Sequence, residues 1–451
     1  MAELSYVTLG ELGRQVTMKV PTDESIGGML FDTGSRTDVF NGYYDANLNF
    51  KDNKVQLIHN VSEAEQLGII KDGVLNGIPY HHISDFYSYI GDDAPLYLMF
   101  ADCSKNFDAI IDFQKEANGR LFQVGVWTER QLWSIREDGS YGFSELLSQV
   151  EAAAEELSGA IGEPTITTTP LSVLLFPNTA KLFGDNAEYA KIDYRKIPYA
   201  KNLDYPKVSV ILGQNGTEEV HRMQLNNVNF TPVGLLGIAM ACLYIAPAED
   251  SIGYVDYFNL NKYDSDGNSM YEMANPEFGF GFIQSPIIQN RNEDDYLKMS
   301  DVSLTQRNII SQAGYIVLTS YPAREESVFF SNDQTLSDGD FEFISMNRVI
   351  HKCRRAVKNV MMPYVNGNID IDPQTGGIST ATTTALTNAI IEELNKTLIN
   401  SRGQEQIADK MVTIDNSQQL LLNDRIEVNL LLIPLDVSDV INVKEYYVTK
   451  E

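Results

Sequence analysis

The residue whose type and setting most resemble a reactive group is an aspartate. Asp32 lies in Met29–Ser35, MLFDTGS, the apolar-Asp-Thr-Gly-Ser order through which aspartic proteases pair two carboxylates around one shared proton. A single-chain enzyme needs a second Asp-Thr-Gly or Asp-Ser-Gly, and the 451 residues contain none. A dimeric enzyme uses one copy per chain, but such chains are small, and most of this one would be left over. The plain expectation is a glycine-containing turn between two edge segments. The alternative is an acid hydrolase built on Asp32.

Other candidates are weaker. Gly213–Gly216, GQNG, follows a strand-like run, but no Lys-Ser/Thr follows it and no third glycine is spaced for a dinucleotide loop. Asp264–Asn268 starts like a calcium loop. Its glycine comes too early, and the twelfth position is Asn275 instead of glutamate. His81 and Asp85 stand one helical turn apart with His82 beside them, which is short of a metal-ligand set and reads as a surface pair. No HExxH, GxSxG or Cys-His arrangement occurs. The expectation is a non-enzyme with no cofactor and no metal.

A group of cations differs in kind. From Asp340 the apolar residues Phe343, Met346, Ile350, Cys353, Val357 and Val360 follow at spacings of 3, 4, 3, 4 and 3, and Pro363 ends the run. The opposite side of this helix carries Arg348, Lys352, Arg355 and Lys358, with Arg354 and His351 at its margins. Five cations in eleven residues invert the local sign of a chain whose net charge is −28. They read either as a solvated face or as a docking surface for acidic protein, which self-assembly of this chain would supply. Gripping nucleic acid or anionic lipid does not suit so acidic a chain.

Those residues need elements to hold them. Strand-like and helix-like runs alternate: Val55–Ile58, a helix from Ser62 with capping-box spacing to Glu65, Leu96–Phe100, Phe107–Ala117, Leu121–Val126, Phe143–Leu157, Leu171–Phe176 and Val208–Leu212. That order suits an α/β body with a largely parallel sheet. Gly159–Pro170 and Pro322–Asp340 read as linkers. A second regular helix spans about Thr383–Leu398, and a strand, Ile426–Ile433, precedes Pro434. Both termini carry extended patterns: Val16, Met18 and Val20 at one, Val440, Ile441, Val443, Tyr446 and Val448 at the other. Cys103, Cys242 and Cys353 lie far apart, which points to a reducing compartment. The N-terminus has no secretory pattern, and Val233–Ala246 falls short of the roughly 18–20 residues of a membrane span. The chain reads as cytosolic, acidic and folded.

The order of these pieces resembles the sheath proteins of contractile phage tails and related contractile injection systems. The similarity runs through KVQLIHNVSEAEQLGI into NGIPYHHISDFYSYIGDDAPLYLMF, then VSVILGQNG with GLLGIAMACLYIAPAEDSIGYVDYFNL. It is most specific in GYIVLTSYP through DFEFISMNRVIHKCRRAVKNVMMPYVNGNIDIDPQTGGIS. The resemblance implies a multi-domain α/β subunit with mixed sheets flanked by helices and extended terminal β-arms. Its expected parts are an N-terminal arm at 1–22, α/β regions at 23–165 and 166–330, a sheath-type C-terminal domain at 331–435 and an arm at 436–451. It implies a structural part that stacks with its own copies as rings, usually sixfold, in a sleeve around an inner tube. Its partners would be itself, the tube protein and baseplate and terminator components, in a virion tail or injection particle assembled in the bacterial cytoplasm. No nucleic acid, no membrane insertion and no catalysis are implied. Arg348, Lys352, Arg354, Arg355 and Lys358 are the expected subunit or tube contacts, and the terminal strands the expected exchanged arms. Another self-assembling tail or secretion component is the alternative.

Overall fold

The computed structural model describes residues 23–34, 55–137, 140–159, 168–178, 195, 197–213, 233–263, 269–271, 303–321, 324–339, 341–400, 403–418 and 425–435. After a 3₁₀ turn at Asp23–Ser25 come β1 (Gly27–Asp32), β2 (Val55–Ile58), α1 (Val61–Gln66), α2 (Ile78–Ile90), β3 (Leu96–Ala101) and α3 (Ala109–Glu116). Then follow β4 (Gln123–Gln131), β5 (Trp133–Ile135), β6 (Tyr141–Phe143), α4 (Leu146–Ser158), β7 (Ser172–Asn178), β8 (Val208–Ile211) and α5 (Leu236–Ile245). Next are β9 (Lys262–Tyr263), β10 (Ser269–Tyr271), α6 (Leu304–Gln312), β11 (Tyr315–Ile316), β12 (Leu318–Tyr321) and β13 (Arg324–Phe330). The C-terminal unit holds α7 (Ile344–Met361), α8 (Thr380–Thr397), β14 (Ile407–Thr413) and β15 (Asn429–Pro434).

Among the described residues, seven strands form one sheet in the order β11-β8-β7-β4-β1-β3-β2. All its pairings are parallel except β2 with β3, where Val55 faces Met99 and Ile58 faces Leu96. Strands buried on both faces need apolar residues at every position, and β1 is buried throughout. Met29 and Phe31 point to the side of α2 and α5, and Leu30 to the side of α3 and α4. Two glycines let those helices press in: a Cβ on Gly28 would sit 2.5 Å from the Phe113 ring, and one on Gly125 would collide with Leu236. Helix α5 accounts for the long apolar run; apart from its last residue it is buried on all sides. Among the described residues no helix is long and apolar enough to cross a membrane.

Several expectations change here. Met29–Asp32 of the Asp-Thr-Gly motif end a central strand instead of an edge segment, Gly34 follows in a turn, and Ser35 lies outside the described residues. Helix α1 is capped by Asn60, whose side chain accepts from Glu63 N, rather than by Ser62. The boundary expected at 165/166 falls between β4 and β7, which pair with each other, so both expected α/β regions contribute to one sheet. The expected linker from Pro322 contains β13, antiparallel to β12, and then the buried residues Asn332–Ser337, bridged through Leu336 to Tyr205 and through Gln334 to Phe343. Val328, Phe329, Phe330 and Leu336 give that stretch apolar weight which its Ser, Asp and Glu content hid.

Candidate functional site

Asp32 stands at the C-terminal ends of β1 and β4, where the chain leaves β1 toward β3 on one side and β4 toward β7 on the other. In α/β sheets such a switch point is where ligands usually sit. Here it is stitched shut. Asp32 Oδ1 accepts from Gly34 N at 2.8 Å and Cys103 N at 2.9 Å, and Oδ2 accepts from Thr128 Oγ1 at 2.6 Å. Arg130 Nη1 donates to Cys103 O at 2.8 Å and Gln149 Oε1 at 2.8 Å, closing the same end. The carboxylate is occupied by donors of the fold, and among the described residues no second carboxylate shares a proton with it. Burial, then the Asp32 and Asp102 carboxylates, push the Cys103 thiol far above its usual range, so it is a poor nucleophile.

His81 and Asp85 are the next correction. Their Nε2–Oδ2 distance is 3.0 Å, and both are buried where α2 packs on α5, not on the surface. His82 lies deeper. Its Nε2 donates to Val233 O at 2.7 Å and its Nδ1 accepts from Gly237 N at 3.3 Å, so it satisfies an otherwise orphan amide in the first turn of α5. Burial, then the neighbouring His81, hold its pKa well below the usual value. Among the described residues no three His, Cys, Asp or Glu side chains could hold a metal ion. Gln214–Gly216 of the GQNG turn and Asp264–Asn268 lie outside the described residues.

The five cations of α7 divide. Arg348 is 0% exposed, and its guanidinium fans across the C-terminal end of α5, donating to Leu243 O, Ala246 O and Pro247 O at 3.0, 3.0 and 3.2 Å and to Glu24 O at 3.0 Å. A cation on the last carbonyls of a helix satisfies orphan acceptors and the negative end of its dipole together. Lys352 is buried too: Nζ lies 3.0 Å from Glu24 Oε1 and 2.7 Å from Gln406 Oε1. Arg355 lies over the Phe122 ring at 3.8 Å and donates to Leu121 O at 2.7 Å. Arg354 and Lys358 stay half-exposed.

So Arg348 and Lys352 face the interior, correcting their expected place on a docking surface. The physical reason is that α7 has two buried sides. Val349, Cys353 and Ala356 join the core of α8 and β14, while Ser345, Asn347, Arg348, His351 and Lys352 are buried on its polar side, where Arg348 caps α5 and Asn347 Nδ2 donates to Pro206 O at 2.9 Å. Among the described residues His351 has no hydrogen-bond partner at either ring nitrogen, and burial among Lys207, Arg354, Arg355 and Arg348 keeps it well below the usual histidine pKa.

In the C-terminal unit β14 and β15 pair antiparallel, with Met411 opposite Leu431. Val412, Leu430 and Leu432 turn toward α7 and α8. Among the described residues the other face is uncovered and carries three exposed aliphatics, Met411 at 58%, Leu431 at 61% and Ile433 at 51%, beside the exposed Asp409, Thr413 and Asn429. Val16, Met18 and Val20, and Val440, Ile441, Val443, Tyr446 and Val448, lie outside the described residues.

This architecture matches known proteins along its whole length. A chain of the anti-feeding prophage (AFP) baseplate, solved by cryo-electron microscopy with 6-fold symmetrisation, superposes with a TM-score of 0.53 at 12% identity, covering 100% of each chain. A chain of the AFP helical sheath in the contracted state superposes with a TM-score of 0.50 at 10% identity, covering 99% of each. The fold is that of a contractile tail sheath-like protein. Residues 340–450 also match the model of the DUF2586 family's C-terminal domain, a stretch that contains α7, α8, β14 and β15. No curated protein sequence matches the chain. Sequence reasoning missed Glu24 and Gln406 as partners of the α7 cations, and Glu249 as the acceptor that holds Gln406. The one available signal was that Arg348 and Lys352 flank Val349 and Cys353, which places them beside a core seam.

Proposed function

We propose that this chain is a structural subunit of a contractile tail sheath. It polymerises with its own copies as a helical stack of rings around an inner tube, and contraction drives the tube through a target envelope. The observation that carries this is the end-to-end superposition on a subunit of a contracted helical sheath. Work comes from repacking of a metastable lattice, and Asp32 serves the fold. The partners are further copies, the tube protein and baseplate and terminator components, in a virion tail or injection particle assembled in the bacterial cytoplasm. The superposition on a baseplate chain supports a second reading, a baseplate-proximal ring component.

Among the described residues, the bare outer face and open edges of β14–β15 suit strand addition. The terminal segments with Val16, Met18 and Val20 and with Val440, Ile441, Val443, Tyr446 and Val448 would extend that sheet in neighbouring subunits, keeping backbone hydrogen bonds while rigid bodies turn. Of the α7 cations, Arg354 and Lys358 remain as contacts for an acidic neighbour. Electron microscopy of the purified chain tests the reading. Striated sleeves of uniform width are expected; closed rings that never elongate would favour the baseplate component. Deleting Asp436–Glu451 should leave a cooperatively folded monomer that builds no sleeve.

A further inference from the structure

The buried polar contacts of α7 join two places that are far apart in sequence. Glu24 lies in the 3₁₀ turn that begins the described body, directly after residues 1–22. Gln406 immediately precedes β14, whose partner β15 ends one residue before Leu435, the last described residue. Lys352 Nζ bridges them, 3.0 Å from Glu24 Oε1 and 2.7 Å from Gln406 Oε1. All three side chains are buried. Each end is also fastened by other bonds. Glu24 O accepts from Arg348 Nη2 at 3.0 Å and Gln123 Nε2 at 3.2 Å, which binds the turn to α7 and β4. Gln406 Nε2 donates to Glu249 Oε2, whose other oxygen accepts from Asn400 Nδ2 at 2.6 Å, and Gln406 N donates to Leu398 O at 2.9 Å.

An internal ion pair costs desolvation on both partners, and replacing it by apolar residues is often neutral or stabilising, so bare stability is a weak reason for it. Its position supplies a better one. We propose that Glu24, Lys352 and Gln406 form a buried clamp that holds the roots of the two terminal segments in fixed relation. Strain applied at residue 23 reaches the β14–β15 sheet through two charged hydrogen bonds, without passing through the seven-stranded sheet. The clamp itself does not depend on the sheath reading. Its consequence does: in a lattice linked through terminal segments, the two attachment points of each body keep their spacing while the body rotates.

Hydrogen exchange on the full chain, read by mass spectrometry, tests the clamp. Glu24→Gln and Lys352→Met should each speed exchange about tenfold both at residues 23–27 and at 405–412, leaving α2 and β3 unchanged. The double variant, with no charge left unpaired, should exchange more slowly at both places than Lys352→Met alone, and it carries the comparison if that single variant folds poorly. An effect of Glu24→Gln confined to residues 23–27, or losses that simply add in the double variant, would overturn the clamp. Sleeve formation is scored separately. Coupled exchange across the variants together with a wild-type chain that forms no sleeve would sink the sheath reading and leave the clamp standing, whereas wild-type sleeves with uncoupled exchange across the variants would do the reverse.

Discussion

In the seven-stranded sheet every residue of β1 is buried and helices lie on both faces, whereas β14–β15 has α7 and α8 on one side and bare aliphatics on the other. Their polar groups differ in the same sense. Asp32 is satisfied within the sheet by Thr128, Cys103 and Gly34, while Lys352 of the C-terminal unit reaches Glu24 at the opposite end of the chain. The body is closed upon itself. The C-terminal unit is tied to it inwardly, and among the described residues the outer face of its sheet is left uncovered.

The largest effect should come from the tie between the two regions. Arg348→Met leaves the last carbonyls of α5 and the Glu24 carbonyl without a donor, and should cost about 3–5 kcal/mol in urea unfolding. A loss below about 1 kcal/mol would mean water replaces the guanidinium. Asp32→Asn tests the closed end of the body. Losing the charge on an acceptor of three hydrogen bonds should cost about 1–3 kcal/mol, with peptide hydrolysis at background before and after. An acid protease activity abolished by this variant would break the structural account of Asp32.

Buried histidines on both sides of that comparison and a buried glutamate of the body titrate in opposite directions. His351 and His82 are held well below their ordinary value of 6.5, so the unfolded chain binds protons that the folded chain does not. Their contribution to stability is full above about pH 6.5 and falls as pH drops below it. Glu151, against Lys207 in the body, is pushed up to about 7 from 4.5, first by burial. Its contribution is full below pH 4.5 and is lost as pH rises through about 7. Thermal melts should therefore show His351→Leu gaining stability at pH 5 and little at pH 8, and Glu151→Gln gaining at pH 8 and little at pH 4.5. Parallel shifts at every pH would contradict both.

On the uncovered side the effects on folding should be smallest. Met411→Thr, Leu431→Thr and Ile433→Thr together should move the melting temperature little, because these side chains are already in water, yet should reduce sleeve formation seen by electron microscopy. Arg354→Glu with Lys358→Glu should behave likewise, with an assembly defect that narrows at high salt. Arg355→Glu should instead lower melting, since Arg355 is bonded to Leu121 O and stacked on Phe122.

Much of the body was legible in sequence, and particular residues show why the rest was not. Leu96–Phe100, Leu171–Phe176 and Val208–Leu212 stood out because a strand covered on both faces is a near-continuous apolar run bounded by turn residues. Strand β1 hid because two of its six residues are glycines, whose use is close approach rather than propensity, and because its aspartate imitates a reactive loop. Helix α7 was placed correctly within a few residues but turned the wrong way. A period of 3.6 identifies one apolar stripe, and a helix buried on two sides needs a second, polar stripe satisfied by distant partners. Nothing local to Arg348 announces the carbonyls of α5 a hundred residues earlier.

The two outermost strands of the large sheet have a consequence of their own. Among the described residues β11 offers two residues for pairing and β2 four, running against its neighbour, so neither described border is a long template for another chain. Among the described residues the seven-residue strand β14 and the six-residue β15 are longer than either border of that sheet, on one unit at one end of the chain. That asymmetry sets the valency of the molecule. On the proposed sheath reading, a net charge of −28 would keep copies apart at random encounter, and addition through that unit would let growth proceed by ordered increments instead of precipitation.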